Sequence, residues 1–400
     1  MENNLLIAMT WLILALAASL ISIRVGVSVA LVEILMGTLG GNFIGLHPND
    51  WINVLAGFGS VVLTFLAGAE LDPKVLRRKW KESLGIGFAS FFAPFLGAMA
   101  YAYWAAGWSP EASQIAGIAL STTSVAVVYA VMIERGYNQT ELGQVILAAC
   151  FITDLGTVLA LGLLFASYDV WLLVFVVTLS LSLWLLPRTT PWIFSRMGSH
   201  ISEPETKYIL IILFGLGALS MAAKSEAVLP AYLVGMVLAP VFLANRTLAQ
   251  RLRVMTFTLL TPFFFLKAGS LINFPAMAAG AILIGILLTV KIAAKFVGVW
   301  PLTHFFRFGR REGMYTTLLM STGLTFGTIS SLYGLSHQLI DQTQYTILVT
   351  AVILSAIVPT FFAERWFDPN GKTANEEQAS MKPHQRKIAS TAPVLKKGEA

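Results

Sequence analysis

Few ionisable side chains interrupt the long apolar segments of this 400-residue sequence. Asp154 is the one aspartate in the interior of such a segment, and Glu70 ends another. Three lysines, Lys267, Lys291 and Lys295, also lie inside apolar segments. Any chemistry that takes place away from water therefore has to be sought among these side chains.

Asp154 has only apolar or small neighbours for about ten residues on either side. On a helix that enters the membrane near residue 141, it lies roughly 20 Å deep, close to the bilayer centre. An ionised carboxylate costs at least ~2.5 kcal/mol there, so it has to be buried against protein, solvated through a cavity, or neutral. Such a group binds either a proton or a small cation, and competition for one site gives coupled exchange if the site faces one side at a time. The alternative is a permanent ion pair with a lysine.

Lys291 and Lys295 are four residues apart and so share one helix face. Counted from residue 305, Lys295 lies ~15 Å and Lys291 ~21 Å deep, so depth admits either as the partner of Asp154. Lys267 lies near the outer end of its segment, and we expect it to extend to the membrane surface. Glu70 and Asp72 precede a basic loop, which predicts an interfacial ion pair with Arg77 or Arg78.

The composition is that of a membrane protein with many spans, because 56% of the residues are hydrophobic and only 12% are charged. A bilayer requires about 20 apolar residues per helix. Thirteen segments meet this requirement, near residues 3–22, 26–46, 51–70, 83–106, 112–132, 141–166, 169–186, 206–223, 226–244, 254–271, 275–305, 312–335 and 343–364.

The basic residues predict the orientation of these spans. With the N-terminus outside, Lys224 is the one Lys or Arg in the outer loops, and those in the other loops and the tail fall on the cytoplasmic side. The chain is thus expected to be a multi-pass protein of the cell (inner) membrane with a cytoplasmic C-terminus. Residues 1–366 form the predicted transmembrane domain, and the polar residues 367–400 a disordered tail.

Two spans contain a small, hydroxyl-rich cluster near the centre, at residues 121–124 and 321–327. Such clusters are natural sites for helix breaks, because hydroxyls and half-helix ends satisfy the freed backbone groups where these line a cavity. Asp154 follows the first cluster and the two lysines precede the second, which favours broken helices at an ion site. Close helix packing through small residues is the alternative.

Other functional classes lack support in the sequence. The formal charge of +6 is explained by basic loops beside membrane spans, so no nucleic-acid partner is expected. The single cysteine, Cys150, excludes an intramolecular disulfide and a thiolate metal cluster. Because metalloprotease, phosphate-loop and serine-hydrolase motifs are absent, we predict no enzymatic activity and no cofactor.

The sequence resembles the bacterial monovalent cation:proton antiporter family, in the branch of sodium/proton antiporters and the membrane parts of potassium-efflux systems. The resemblance rests on residues 65–72, the cluster 121–124, the pair Thr153-Asp154 and the basic helix before residues 321–330, and it covers 1–366. It implies an all-α protein of about 13 transmembrane helices with inverted repeats and two crossed, unwound helices. A core domain would move against a dimerisation domain, and the partners would be Na⁺ or K⁺, H⁺, membrane lipid and a second copy.

The resemblance also implies roles for individual residues. Asp154 takes the position of the cation-binding aspartate, and Lys295, followed by Gly298 as in the family, ranks above Lys291 as the core basic residue. We expect Thr153, Ser124 and Thr123 to bind the cation together with Asp154. The unwound segments would include Ser121, Thr122, Thr322, Gly323 and Thr325.

The predicted function is antiport of Na⁺, or of K⁺ or Li⁺, for H⁺ by alternating access, with a role in pH homeostasis. Thr153 stands where electrogenic relatives have Asn or a second Asp, which predicts electroneutral exchange. Neither the nucleotide-binding domain of the potassium-efflux systems nor their Gln before the aspartate is present, so ligand gating by this chain is not expected. A sodium-coupled organic-solute symporter of related fold and an uncoupled cation channel are the alternatives.

Overall fold

The computed structural model describes residues 4–25, 28–165, 170–197, 202–223, 227–272 and 274–369, and within these ranges the chain is helical with no β-strand. The predicted tail thus lies outside the described residues from position 370 onward. The helices are α1 (Asn4–Val25), α2 (Val29–Leu39), α3 (Asp50–Ala69), α4 (Pro73–Arg78), α5 (Trp80–Trp104), α6 (Pro110–Ser121), α7 (Val125–Glu134), α8 (Glu141–Phe165), α9 (Val170–Met197), α10 (Pro204–Ala222), α11 (Val228–Ala244), α12 (Arg246–Met255), α13 (Thr261–Ser270), α14 (Phe274–Ala279), α15 (Ala281–Phe305), α16 (Arg310–Met320), α17 (Thr325–Ser336) and α18 (Gln342–Trp366).

Within the described ranges, ten helical segments are long and apolar enough to cross a membrane. Two shorter apolar segments, Val29–Ile44 and Val228–Ala244, and the pair α16–α17 correspond to the remaining predicted spans. The polytopic all-α fold is therefore confirmed. One boundary was wrong: α9 continues through Pro187 and Pro191 to Met197, whereas a loop was predicted after residue 186.

Two spans are broken where the hydroxyl clusters predicted a break. Residues 122–124 separate α6 from α7, and residues 321–324 separate α16 from α17. Ser124 is the N-cap of α7 and accepts a hydrogen bond from the backbone N–H of Val127 at 3.4 Å. The cluster thus satisfies part of the backbone that the break leaves without intrahelical partners.

The helices pack in two groups. The core group consists of α5–α8 and α15–α18, in which α5 contacts α6, α8 and α15, and α17 contacts α6 and α18. The flanking group consists of α1–α3 and α9–α13, in which α3 packs on α11 and α13, and α13 packs on α2. The groups meet where α7 and α18 contact α2, α7 contacts α3, and α8 contacts α11.

Contacts between connecting segments identify one end of the bundle, here called the arginine-rich end. Arg78 pairs with Glu141, Arg251 with Glu203, and Arg135 with Asp368. The first pair joins α4 to the start of α8, the second joins α12 to the residue before α10, and the third joins the residues that follow α7 and α18. The loops that were predicted to share the cytoplasmic side thus lie together.

Candidate ion-binding site

Asp154 lies in α8 and is buried, with 5% of its surface exposed. Its Oδ1 atom has no hydrogen-bond partner among the described residues, and no ion pair within 4.0 Å involves its carboxylate there. The alternative of a permanent ion pair with a lysine is therefore not seen. A buried acceptor without a donor is costly, and binding a proton or a cation would remove that cost.

Lys295 is fully buried and uses all three ammonium protons on other partners. Its Nζ donates to Ser90 Oγ at 2.7 Å, to Thr123 Oγ1 at 2.8 Å and to the carbonyl oxygen of Ser121 at 2.8 Å. The last of these atoms belongs to the end of α6, where a cation is favoured by the helix dipole. Lys295 interacts electrostatically with Asp154 across the site but makes its hydrogen bonds to the first broken helix and to α5.

Gly298 explains how Lys295 reaches these partners. A Cβ atom at this position would lie 2.7 Å from Cβ of Ala93 and 2.8 Å from the carbonyl oxygen of Ala89. Such contacts are too short, so glycine permits the close approach of α15 to α5. The close approach brings Lys295 to Ser90, one turn along α5.

Lys291 is also fully buried, but its Nζ has no hydrogen-bond partner among the described residues. It lies against the second broken helix, since a Cβ built on Gly323 would overlap with this nitrogen. The same Cβ position is 3.0 Å from Ser355 Oγ and 3.1 Å from Thr122 Oγ1. Lys291 therefore lies at the crossing of the two breaks, where a larger residue than glycine would not fit beside it.

The predicted polar ligands are buried around Lys295 and α5 rather than gathered on Asp154. Thr123 Oγ1 donates to the carbonyl oxygen of Met320 at 2.8 Å, which joins the two broken helices directly. Thr153 Oγ1 contacts the carbonyl oxygens of Ala149 at 3.0 Å and Gly87 at 3.3 Å, on its own helix and on α5. Ser124 caps α7. Within the described residues, no hydrogen bond joins any of these three to Oδ1 of Asp154.

The remaining residues assigned to the crossed helices line the two breaks. Three of their hydroxyls return to a carbonyl one turn back: Ser121 to Ile118 at 2.8 Å, Thr122 to Ala119 at 3.0 Å and Thr322 to Leu319 at 2.8 Å. Thr325 begins α17, and its carbonyl oxygen accepts from Thr328 Oγ1 at 2.8 Å. The first two bonds provide donors for carbonyl groups in the last turn of α6, where intrahelical donors are missing.

A cavity of about 190 Å³ lies between the core and flanking groups, on the arginine-rich side of Asp154. Its lining is apolar except for one serine and comes from both groups: Leu71, Trp80, Ser83, Leu84, Ala148, Phe151, Ile152, Tyr232 and Met236. Phe151 of α8 stacks on Tyr232 of α11, with ring centroids 4.2 Å apart and planes 5° from parallel. Phe151 precedes Asp154 by one turn of α8, so the stacked pair, which lines this cavity, lies close to the carboxylate.

The sequence suggested that Glu70 pairs with Arg77 or Arg78, but the structure shows a different partner. It forms an ion pair with Arg253 of α12, and it also accepts hydrogen bonds from Tyr129 at 2.7 Å and from Asn138. The prediction considered sequence neighbours, whereas the actual partner is 183 residues away. Asp72 instead caps α4 by accepting from the N–H of Lys74 at 2.8 Å.

The sequence reasoning missed the buried acidic side chain of Glu33. Glu33 is 2% exposed in α2, inside the span predicted at 26–46. The signal was present in the sequence, because a single glutamate interrupts the apolar run of residues 29–36. No group of three or more His, Cys, Asp or Glu able to hold a metal ion occurs in the described part of the chain.

Comparison with known proteins places this arrangement in a family. The sequence profile described as "Sodium/hydrogen exchanger, transmembrane" matches residues 11–366. The chain belongs to the sodium/hydrogen exchanger family. The chain is similar to the probable Na⁺/H⁺ antiporter 3 of Methanocaldococcus jannaschii, with 25% identity over 344 residues, which cover 83% of this chain and 87% of that protein.

Two other relatives extend the range of organisms. The Na⁺/H⁺ antiporter of Enterococcus hirae is 24% identical over 373 residues, which cover 84% of this chain and 91% of that protein. The putative Na⁺/H⁺ antiporter YjbQ of Bacillus subtilis is 25% identical over 367 residues, 85% of this chain but only 59% of the longer relative.

Solved structures show the same fold. The sodium proton antiporter MjNhaP1 of Methanocaldococcus jannaschii matches in an electron-microscopy structure with a TM-score of 0.72 at 16% identity, over 96% of this chain and 100% of that one. A second structure of the same protein at pH 8 matches with a TM-score of 0.63 at 17% identity, over 90% and 97% of the two chains. The predicted all-α antiporter fold is therefore confirmed.

Proposed function

We propose that this sodium/hydrogen exchanger family member is a secondary active antiporter that exchanges a monovalent cation for a proton by alternating access. The observation that supports the proposal most strongly is the carboxylate of Asp154, buried beside two broken helices with one oxygen unpartnered. The relatives named above are Na⁺/H⁺ antiporters, so sodium is the first cation to test, with K⁺ and Li⁺ as competitors. The symporter and channel alternatives find no support among them.

In the proposed cycle, Asp154 is neutralised in turn by a proton and by a partly dehydrated cation. The two ligands compete because one carboxylate cannot favourably bind both in a site with little water. Carbonyl groups at the helix breaks, with Thr123, Ser124 and Thr153, supply further oxygen ligands once the site rearranges around the cation. Lys295 holds the end of α6 in place and contributes a fixed positive charge opposite Asp154.

The core group would carry this site past the flanking group. The arginine-rich end would face the cytoplasm of a cell whose inner membrane contains the protein, with the N-terminus outside. The cavity below Asp154 would then be the cytoplasmic approach, with the Phe151–Tyr232 stack closing its inner end. The flanking group would form a homodimer, which cross-linking in native membranes would detect.

Electroneutral exchange belongs to the same proposal. One carboxylate that exchanges one cation for one proton moves no net charge, provided that the two buried lysines keep their charge states throughout the cycle. Transport current on a solid-supported membrane decides the matter. A sustained current that reverses with the sodium gradient would contradict electroneutrality without contradicting antiport.

Replacement of Asp154 tests the proposal directly. In proteoliposomes that contain a pH-sensitive dye, adding Na⁺, K⁺ or Li⁺ should dequench the wild-type signal for the transported cation. The variant Asp154→Asn should lose this exchange while remaining folded, because asparagine keeps the size of the side chain but cannot carry the charge. Asp50→Asn, an exposed aspartate in the first turn of α3, is the matched control and should retain full exchange. Full activity of Asp154→Asn would refute the scheme.

A further inference from the structure

We propose that Glu33 and Glu134 form a second proton-binding site, separate from Asp154, at the contact between the flanking and core groups. This site would regulate antiport by holding the two groups together when it is protonated and by loosening them when it is not. The inference rests on the proposed function only in its assumption that the core group moves; proton binding itself does not depend on it.

The first observation concerns how α2 begins. Ser28 has the N-cap position, but its side chain makes no capping hydrogen bond and its Oγ has no partner among the described residues. Carboxylates of the core group accept the hydrogen bonds of these N–H groups instead. The N–H of Ser28 donates to Glu364 Oε2 at 2.9 Å, and the N–H of Val29 donates to both oxygens of Glu134 at 2.9 Å.

This arrangement binds the two groups through a helix terminus. The first N–H groups of a helix have no intrahelical acceptors and carry a partial positive charge, so an ionised carboxylate is favourable there. Here the carboxylates come from α7 and α18, whereas the helix belongs to the flanking group. The contact between the groups is therefore strongest when Glu134 is ionised and undisturbed.

The second observation is that Glu33 disturbs the contact between Glu134 and the start of α2. Glu33 lies one turn beyond Val29, and helical side chains tilt toward the N-terminus, which directs its carboxyl group toward the same place. It interacts electrostatically with Glu134. Its side chain is 2% exposed and its Oε2 has no hydrogen-bond donor among the described residues. An ionised carboxylate would be costly at this position, whereas a protonated one would leave Glu134 free to cap α2.

Arg135 interacts electrostatically with Glu134 but is shared with two other carboxylates. It pairs with Glu364 at 3.4 Å and with Asp368 at 3.7 Å. On the neighbouring elements, Tyr315 of α16 interacts with Glu364 and Asp368, Tyr137 donates to Asp368, and Arg311 donates to the carbonyl oxygen of Asp368 at 3.3 Å. Arg24, at the end of α1, is exposed and makes no ion pair with either glutamate in the described structure.

Protons can reach Glu33 because Glu134 is exposed to solvent. Glu134 lies at the solvent-exposed edge of the arginine-rich end, and Glu33 lies behind it. A proton can therefore pass between water and the buried carboxyl group by way of its exposed neighbour. When the pH at this end rises and Glu33 loses its proton, two like charges face each other across the contact, which weakens the contact between α2 and α7 and frees the core group to move.

The variant Glu33→Gln tests the site because glutamine imitates the protonated state at every pH. In proteoliposomes, wild-type sodium-dependent exchange should rise with the pH at the arginine-rich end. The variant should lose most of this rise, with the pH at half-maximal rate moved by on the order of one unit, the scale of coupling between neighbouring carboxylates. Glu33→Asp should keep the pH dependence, as should Glu111→Gln, an exposed first-turn glutamate of α6. A Glu33→Gln profile that coincides with the wild type overturns the proposal.

A measurement without transport keeps the site testable if exchange itself is absent. Ionisation of Glu33 destabilises the folded wild type as pH rises, and Glu33→Gln removes this loss. The melting temperature of the variant in detergent should therefore exceed that of the wild type by an amount that grows with pH. A constant difference between pH 6 and pH 9 would contradict proton binding at Glu33. Loss of exchange in every variant and in the wild type would instead contradict the proposed antiport.

Discussion

At the scale of residues, the two buried lysines of α15 differ in what surrounds them. Lys295 donates three hydrogen bonds, whereas the Nζ of Lys291 has no partner among the described residues. Both lie on one face of one helix and both are fully buried. The two lysines therefore form a matched pair: both are buried on the same helix face, but they differ in hydrogen bonding.

Methionine substitutions should affect the two positions in opposite directions. Lys295→Met leaves the Ser121 carbonyl and two hydroxyls without their donor, so we expect a loss of about 2–4 kcal/mol in the free energy of unfolding. Lys291→Met replaces an unpaired amine by an apolar side chain of similar length, so stability should stay level or rise by ~1 kcal/mol. Thermal unfolding in detergent compares the two variants. An equal loss for both would show that the hydrogen bonds of Lys295 contribute nothing.

At the scale of elements, Glu70 joins helices from both packing groups. It ends α3 and contacts Arg253 of α12 in the flanking group, and Tyr129 of α7 and Asn138 beyond it in the core group. Gln144 of α8 donates to the carbonyl oxygens of Glu70 and Asn138, both at 2.7 Å. The network thus fixes where four helices meet at the arginine-rich end.

Removal of this carboxylate should loosen the contact. Glu70→Ala leaves the buried Tyr129 hydroxyl without an acceptor and Arg253 without its partner, so we expect about 2 kcal/mol of destabilisation, with the partial exposure of Arg253 limiting the loss. Asp72→Asn is the control, because asparagine caps a helix as well as aspartate and the change should stay within ~0.5 kcal/mol. Urea or thermal unfolding of both variants measures the difference, and an unaffected Glu70→Ala would contradict a structural role.

At the scale of the whole molecule, the stack of Phe151 on Tyr232 bridges the core and flanking groups at the cavity, one helical turn from Asp154. Tyr232 Oη also donates to the carbonyl oxygen of Leu147 on α8 at 3.1 Å. Cys150 is buried beside this pair and is the single cysteine of the chain. Its thiol therefore provides a natural reporter of opening between the groups.

Truncation of the stack should expose that thiol. Aromatic pairs contribute about 0.5–1.5 kcal/mol beyond burial, so Tyr232→Ala should raise the rate at which a maleimide labels Cys150 by several-fold, up to about tenfold. Tyr208→Ala, in the same group but on α10, should leave the rate unchanged. Labelling at the wild-type rate in Tyr232→Ala would show that the stack does not close the site.

The helical segments and the two breaks could be predicted from the amino-acid sequence alone. Each follows from a local property: the length of an apolar run, and a cluster of hydroxyls in place of apolar side chains. The resemblance then ordered these features into a family, and the match over residues 11–366 bears that out.

The partners of the buried charged side chains could not be predicted without the three-dimensional structure. Arg253 rather than Arg77 pairs with Glu70, Lys295 binds the first broken helix rather than Asp154, and Glu134 caps α2 at Val29, one turn before Glu33. The interacting residues come from helices far apart in sequence, and which faces meet depends on close approaches such as that of Gly298 to Ala89. Hydrophobicity places a helix in the membrane but is nearly uniform around these spans, so it does not specify which side chain faces which neighbour.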